Sequence, residues 1–361
     1  MSARIADLIQ AVDRIGIKNV AALSRMTGMP KETIRYMLKK RFPELDLAVE
    51  SVFNLGELGL QRYSATFKFT PNALPHANSI LDKLASVAFL TYRSGTLLEP
   101  THVALFAVPV LVEEEFQSFL RGLVDDGVLR EVELKRLEWA WNPELKCEYY
   151  NFDSGRWNVD WKEVGSHHEA PPSPVVVDQP RLKPGIDRSD ILLIKELEAS
   201  SVRNLAEISE KLKMNAVTLR WHYRKHVLPV ISHHRVRWIP ARGGDKSKVV
   251  GVSFGFSQLT KSELVKARLI FNNFPFTWYE AGSRDGSYRA DLAIPVAETV
   301  TSLEFLNGRL GEMSLPPWKS HLLDLPTSMH YTVPYENFTE EGEWVFNPET
   351  ALNSILSLAK A

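Results

Sequence analysis

Two short basic stretches carry the most specific chemistry in the chain. In the first, KETIRYMLKKR, Ile34 and Leu38 stand four apart on one face of a helix. Lys31, Glu32, Arg35, Tyr36 and Lys39 then point away from that face, with Thr33 beside them and Lys40 and Arg41 at the far end. In the second stretch, Ala216, Val217, Thr218, Arg220, Trp221, Arg224 and Lys225 take the corresponding outward positions. A guanidinium fork can bond the edge of guanine in pairs, and ammonium groups neutralise phosphates. A short helix presenting Arg, Lys and an aromatic ring therefore suits the major groove of double-stranded DNA.

Few other residues are arranged for chemistry. His222 and His226 are four apart, a spacing that can bind zinc, but no third ligand stands near them in the sequence, so no metal is expected. His233, His234, Arg235, Arg237 and Arg242 read as a basic strand or wing against a nucleic-acid backbone. His167-His168 reads as a solvated pair. The chain contains no glycine-rich phosphate loop, nucleophile elbow or paired carboxylates in a catalytic context, and no cofactor is expected.

The elements that must hold these helices occur twice. Shifted by 185 positions, residues 19–42 match residues 204–227, with Asn19, Ala21, Ser24, Met29, Thr33, Arg35 and Lys40 recurring as Asn204, Ala206, Ser209, Met214, Thr218, Arg220 and Lys225. Each copy reads as helix, turn, helix. Asn19 and Asn204 are suited to N-caps, with Glu207 completing a capping box. Thr27-Gly28 ends the first helix, and Pro30 suits the start of the next. Ile5, Leu8, Ile9 and Val12, and in the second copy Ile191, Ile194 and Leu197, supply a helix in front of each pair. An offset near half the length means a duplicated two-domain unit.

The chain has 361 residues, 44% hydrophobic and 24% charged, with a net charge of −1. The charge is unevenly spread. Residues 1–43 hold nine Lys/Arg against three Asp/Glu, while residues 44–170 hold eleven against twenty. A basic head followed by an acidic body is expected, the head carrying any phosphate contacts. Cys147 is the one cysteine, which excludes a disulfide framework. Nothing at the start reads as a signal peptide. The longest strongly apolar run, residues 103–112, is too short to span a bilayer, so a cytoplasmic protein without membrane contact is expected.

Between the heads, the pattern reads β-α-β-β-α-β. Strands are expected over residues 63–69, 88–93, 103–111 and 128–139, and helices over 77–87 and 113–125. A second such body is expected over strands 248–256, 276–281, 288–296 and 321–325 and helices 260–273 and 297–310, with a short terminal helix after it. The predicted fold class is α+β: two helix-turn-helix, winged-helix-like heads, each followed by a ferredoxin-like body. The expected domains are 1–43, 44–164, a proline-rich linker 165–186, 187–232 and 233–361. Asn151, Phe152, Gly155 and Trp157 recur as Asn337, Phe338, Gly342 and Trp344, an added hairpin in each half that pins aromatic rings against the body.

Asn54, Leu55, Gly56, Leu58, Gly59 and Leu60, with the head-plus-body order and the recognition helix, resemble the feast/famine regulators, the family of the leucine-responsive regulatory protein and the asparagine-synthetase regulator, found in archaeal-type form. The resemblance is strongest over residues 19–60 and departs after Val227, where no LGL joint follows. It implies a DNA-binding transcription regulator, pseudo-dimeric within one chain, capable of further oligomerisation and of holding a small effector of the amino-acid class. It implies that the chain is not an enzyme. Similar head-plus-body chains also act as sirohaem decarboxylases, which would need converging His and Arg, whereas His76, His102 and His168 are scattered. A protein-docking role for the heads is a third possibility.

Overall fold

The computed structural model describes residues 2–166, 175, 177–238 and 245–359. The His167-His168 pair, Arg242 and part of the expected linker lie outside the described residues.

Head one consists of α1 (Ser2–Ile15), α2 (Val20–Thr27) and α3 (Lys31–Tyr36). Ile5, Leu8, Ile9 and Val12 of α1 are buried against Leu23 and Ile34, each such side chain contributing about 1.5–3 kcal/mol. The Asn19 side chain accepts the Ala22 N–H, and Gly28 ends α2 in the left-handed conformation at φ 67°. A π-helical turn, Met37–Arg41, extends α3 into α4 (Phe42–Glu44) and then β1 (Ala48–Phe53).

Body one contains β2 (Leu60–Phe69), α5 (Ala77–Val87), β3 (Leu90–Thr96), β4 (Thr101–Pro109), α6 (Glu113–Asp125) and β5 (Leu129–Leu137). The joint before β2 turns through Gly59 at φ 74°. After β5 come β6 (Trp139–Trp141), the hairpin β7 (Tyr150–Asn151) and β8 (Arg156–Trp157), and α7 (Trp161–Ser166).

Head two repeats the arrangement with α8 (Arg188–Ala199), α9 (Leu205–Leu212), α10 (Ala216–His222), a π-helical turn at Tyr223–Val227, α11 (Leu228–Val230) and β9 (Ile231–Arg237). The capping box of Asn204 and Glu207 is formed. Body two follows with β10 (Val249–Phe256), α12 (Lys261–Asn273), β11 (Thr277–Gly282), β12 (Tyr288–Pro295), α13 (Thr299–Glu312) and β13 (Lys319–His330). The terminal helix α14 (Pro348–Ala359) crosses to body one, burying Ala351 and Ile355 in its core.

The chain is thus α+β, with two helix-turn-helix heads and two ferredoxin-like bodies. The bodies share one nine-stranded antiparallel sheet, ordered β5-β2-β4-β3-β13-β10-β12-β11-β6. Its end strands β5 and β6 are separated in the chain by Glu138 alone, so the row of strands turns back on itself. β13 is longer than the predicted strand. Past Asp324 its register shifts, Pro326 falls in the irregularity, and pairing with β3 resumes at Met329–Arg93 and His330–Tyr92. Proline has no N–H for the ladder and is tolerated at such a bulge.

The heads meet through a separate ribbon, β1 paired antiparallel with β9. The repeated hairpins pack as expected of aromatic pins. Tyr150 and Phe152 enter the core of head one, and Phe338 enters that of head two. No described helix is long and apolar enough to cross a membrane.

Candidate active site

The outward residues of the recognition helices stand mostly as their spacing suggested. Lys31, Glu32, Arg35, Tyr36, Lys39 and Lys40 are exposed, Thr33 and Arg41 half-buried. Arg35 is paired with Glu32, Arg41 with Glu44, and Lys39 reaches Glu207 of head two at 3.2 Å. Ala216, Val217, Thr218, Arg220, Trp221, Arg224 and Lys225 are exposed.

Arg235 and Arg237 lie on β9, whose edge is taken by β1, and Glu50 of β1 faces them. The Arg235 Nε and Nη2 donate to Glu50 Oε2 at 3.0 and 2.9 Å, and Arg237 pairs with Glu50 Oε1. Burial opposes ionisation of Glu50, yet Arg235 and Arg237 hold its pKa below the ordinary range. The basic strand is thus present as β9, with both guanidinium groups paired to Glu50 and Arg237 still exposed.

His330 stands at the end of β13. Its ring lies 4.6 Å from Tyr92 of β3, and both stand 5.7 Å from Trp278 of β11. Burial, followed by the charge of Arg235, lowers the pKa of His330, against the pull of Glu50. His330 and Met329 nonetheless keep much of their surface open to water.

Arg235, Arg237 and Lys246 act on this point, and further cations of the bodies are each held by a partner. Arg62 of β2 donates to Asp178 at 2.6 Å. Arg289 of β12 makes a bidentate pair with Asp291 at 2.7 Å. Lys246 donates to the Ser328 carbonyl at 2.9 Å, its pKa lowered by burial and then by Arg237 and Arg93. Arg93 of β3 is held by Asp82 at 2.5 Å, the Thr327 carbonyl at 2.6 Å and Asn78 at 2.9 Å. Each of these guanidinium groups is thus already paired with a carboxylate of the fold.

Two further histidines are kept neutral. His233 falls to about 4 through burial and then Arg235, and His102 to about 4 through burial and then Arg93. His233 lies against the Trp141 ring at 4.9 Å. Among the described residues His233 Nε2, His102 Nδ1, Trp141 Nε1 and the Tyr92 hydroxyl are buried without a hydrogen-bond partner. Orphaned buried polar atoms cost about 1–3 kcal/mol each.

His102, His233 and His330 lie far apart along the chain and in separate surroundings, His102 against Phe69, His233 against Trp141 and His330 against Tyr92. A cavity of about 650 Å³ also opens between the heads, lined by residues including Leu38, Pro43, Arg203, Glu207 and Arg237. It contains no histidine, and its lining sets Lys39, Lys40 and Arg237 beside Asp46 and Glu207.

No protein-family model matches the chain, and no curated protein matches its sequence. Among solved structures, the chain resembles the siroheme decarboxylase NirDL with a TM-score of 0.57 at 10% identity, over 99% of this chain and 100% of that one. A structure of NirDL in complex with an iron-uroporphyrin III analogue aligns with the same TM-score at 9% identity, over 98% of this chain and 99% of the other. At such identity the likeness concerns the fold. It nevertheless overturns the expectation that the chain is not an enzyme, since the whole arrangement, both heads included, recurs in an enzyme and does not mark a regulator.

Proposed function

We propose that this chain is an enzyme that binds a tetrapyrrole bearing several carboxylates and removes carboxyl groups from it. The observation carrying this reading is the exposed His330, with the charges of Arg235, Arg237 and Lys246 acting on it against Glu50. A uroporphyrin-type ring is a flat apolar body rimmed by carboxylates. Trp278, Trp141 and Met329 keep apolar surface that such a body could meet, and the cations offer partners for its rim. The full-length likeness to a siroheme decarboxylase adds to this reading.

Decarboxylation expels CO2 and leaves an electron pair on carbon, which a proton must fill. Tyr92 and His330, paired across β3 and β13, are the side chains suited to manage that proton. Burial and then the charge of Arg235 favour the neutral imidazole at His330, leaving the carboxylate as the anion those cations engage.

The test is anaerobic titration of the full chain with iron-uroporphyrin III, followed by mass analysis after incubation with sirohaem. A shifted Soret band, with products lighter by successive CO2 units, is expected. Arg235→Ala should weaken binding about tenfold or more, the loss of one charge-assisted contact of about 1.5–3 kcal/mol. His330→Ala should lower turnover more than binding. No spectral change with either tetrapyrrole would end the reading.

A second reading, binding of double-stranded DNA, is favoured by the uncovered faces of Arg35 and Tyr36 in head one and Arg220, Trp221 and Arg224 in head two. Such binding would weaken steeply with salt. Duplex affinity indifferent to Arg35→Ala and Arg220→Ala together would dispose of it.

A further inference from the structure

The first helix of head two brings two carboxylates to the paired histidines of the recognition helix. Asp187 caps α8 and Asp190 is its third residue, each side chain accepting the other's backbone N–H. Asp190 is wholly buried. His222 ends α10, and His226 lies one turn beyond it in the π-helical segment. The His222 Nδ1 stands 2.8 Å from Asp190 Oδ1 and 3.7 Å from Asp187 Oδ2, and the His226 Nδ1 stands 2.8 Å from Asp190 Oδ2. One ligand atom from each of the four side chains lies within 4.8 Å of the others.

The sequence offered two histidines at helical spacing and no third ligand. The third and fourth come from another helix, Asp190 standing 32 positions before His222. We propose that Asp187, Asp190, His222 and His226 form a binding site for a divalent cation of the zinc class, tying α8 to the recognition helix.

Three observations carry this. Two imidazoles and two carboxylates are a four-ligand set that zinc accepts, and metal–ligand bonds of about 2.0–2.1 Å require ligand atoms about 3.3–3.5 Å apart in a tetrahedron. The ligand atoms stand 2.8 to 4.8 Å apart, a range that contains that value. The fold itself does not ask for polar groups here, because head one builds the same junction with buried Ile5 and Met37 at the positions of Asp190 and His222. Finally, the site is closed on one side and open on the other. Asp190 and His222 are buried, while the Asp187 and His226 side chains keep 48% and 28% of their surface, leaving an entry path. The Trp221 ring lies 5.0 and 4.7 Å from the two imidazoles, beside that opening.

The test is titration of the full, tag-free chain with Co2+ at neutral pH, then displacement by Zn2+. One equivalent should give the intense visible absorption of four-coordinate Co2+, and Zn2+ should abolish it. His226→Gln and Asp190→Asn should each remove the signal, and the rise in unfolding temperature that Zn2+ gives the unaltered chain should vanish with it. His226 is half-buried, so His226→Gln should stay folded even where Asp190→Asn does not. Absence of the signal in the unaltered chain, or its survival in folded His226→Gln, would reduce the cluster to a hydrogen-bonded Asp–His group and overturn the proposal.

Discussion

The two heads have one fold and two kinds of interior. In head one the first helix meets the recognition helix through Ile5 and Met37, buried among Leu8, Leu23 and Ile34. In head two the same two positions carry Asp190 and His222, hydrogen-bonded 2.8 Å apart and wholly or largely hidden from water. The apolar junction needs only shape and volume. The polar one gives up hydration that must be returned by fixed partners, and it gains directionality. Duplication preserved the framework while this contact point changed its chemistry.

The largest effect should come from breaking the polar junction. Asp190→Ala leaves two imidazoles facing a hole and should cost about 3–5 kcal/mol, measured by denaturant unfolding followed through head two. Converting head two into head one with Asp190→Ile and His222→Met together should recover most of that loss, since well-packed apolar groups can replace a buried charged pair at little cost. A double variant as unstable as the single would mean that the two interiors are not interchangeable.

A smaller effect concerns pH. Burial raises Glu198, whose carboxylate accepts the Val333 N–H at 2.7 Å, to about 7. A carboxyl group raised on folding adds stability in acid, and that contribution is lost as pH climbs from the ordinary carboxylate range through 7. Glu198→Gln should therefore stabilise the chain by about 1–2 kcal/mol at pH 8 and change little at pH 4. Three histidines act in the opposite sense. His102, His233 and His330 are lowered, so the stability their neutral forms provide is present above pH 6.5 and lost as pH falls toward 4. His233→Asn should blunt that acid-side loss in a series of unfolding midpoints.

The smallest effect compares the two N-caps. Asn204 accepts two backbone N–H groups and is answered by Glu207, whereas Asn19 accepts one. Asn204→Ala should cost about 1–2 kcal/mol and Asn19→Ala about 0.5–1 kcal/mol in thermal unfolding. Equal losses would show that the reciprocal bond from Glu207 adds nothing.

The heads and bodies were legible in the sequence because their signals are local. The N-caps, Gly28, the apolar stripe of α1 and the three glutamates opening α6 each act within a few residues. The candidate sites were not legible, because their members meet through pairings set by the whole fold. β13 looked finished at Leu325, before Pro326, and only the bulge that carries it past the proline delivers Met329 and His330 to Tyr92. Arg235 and Arg237 read as a basic strand or wing, and their pairing with Glu50 of β1 is set by the fold. His222 and His226 looked isolated until α8 delivered Asp190.

The return of the strand row upon itself has a mechanical consequence. β6 fastens the first half to β11, and β13 fastens the second half to β3, so each half grips the other at two seams. Halves made as separate polypeptides, divided near residue 170, should therefore assemble on mixing and resist dilution. The same seams occupy strand edges that a second molecule would otherwise use for pairing, which makes self-association along the sheet unfavourable.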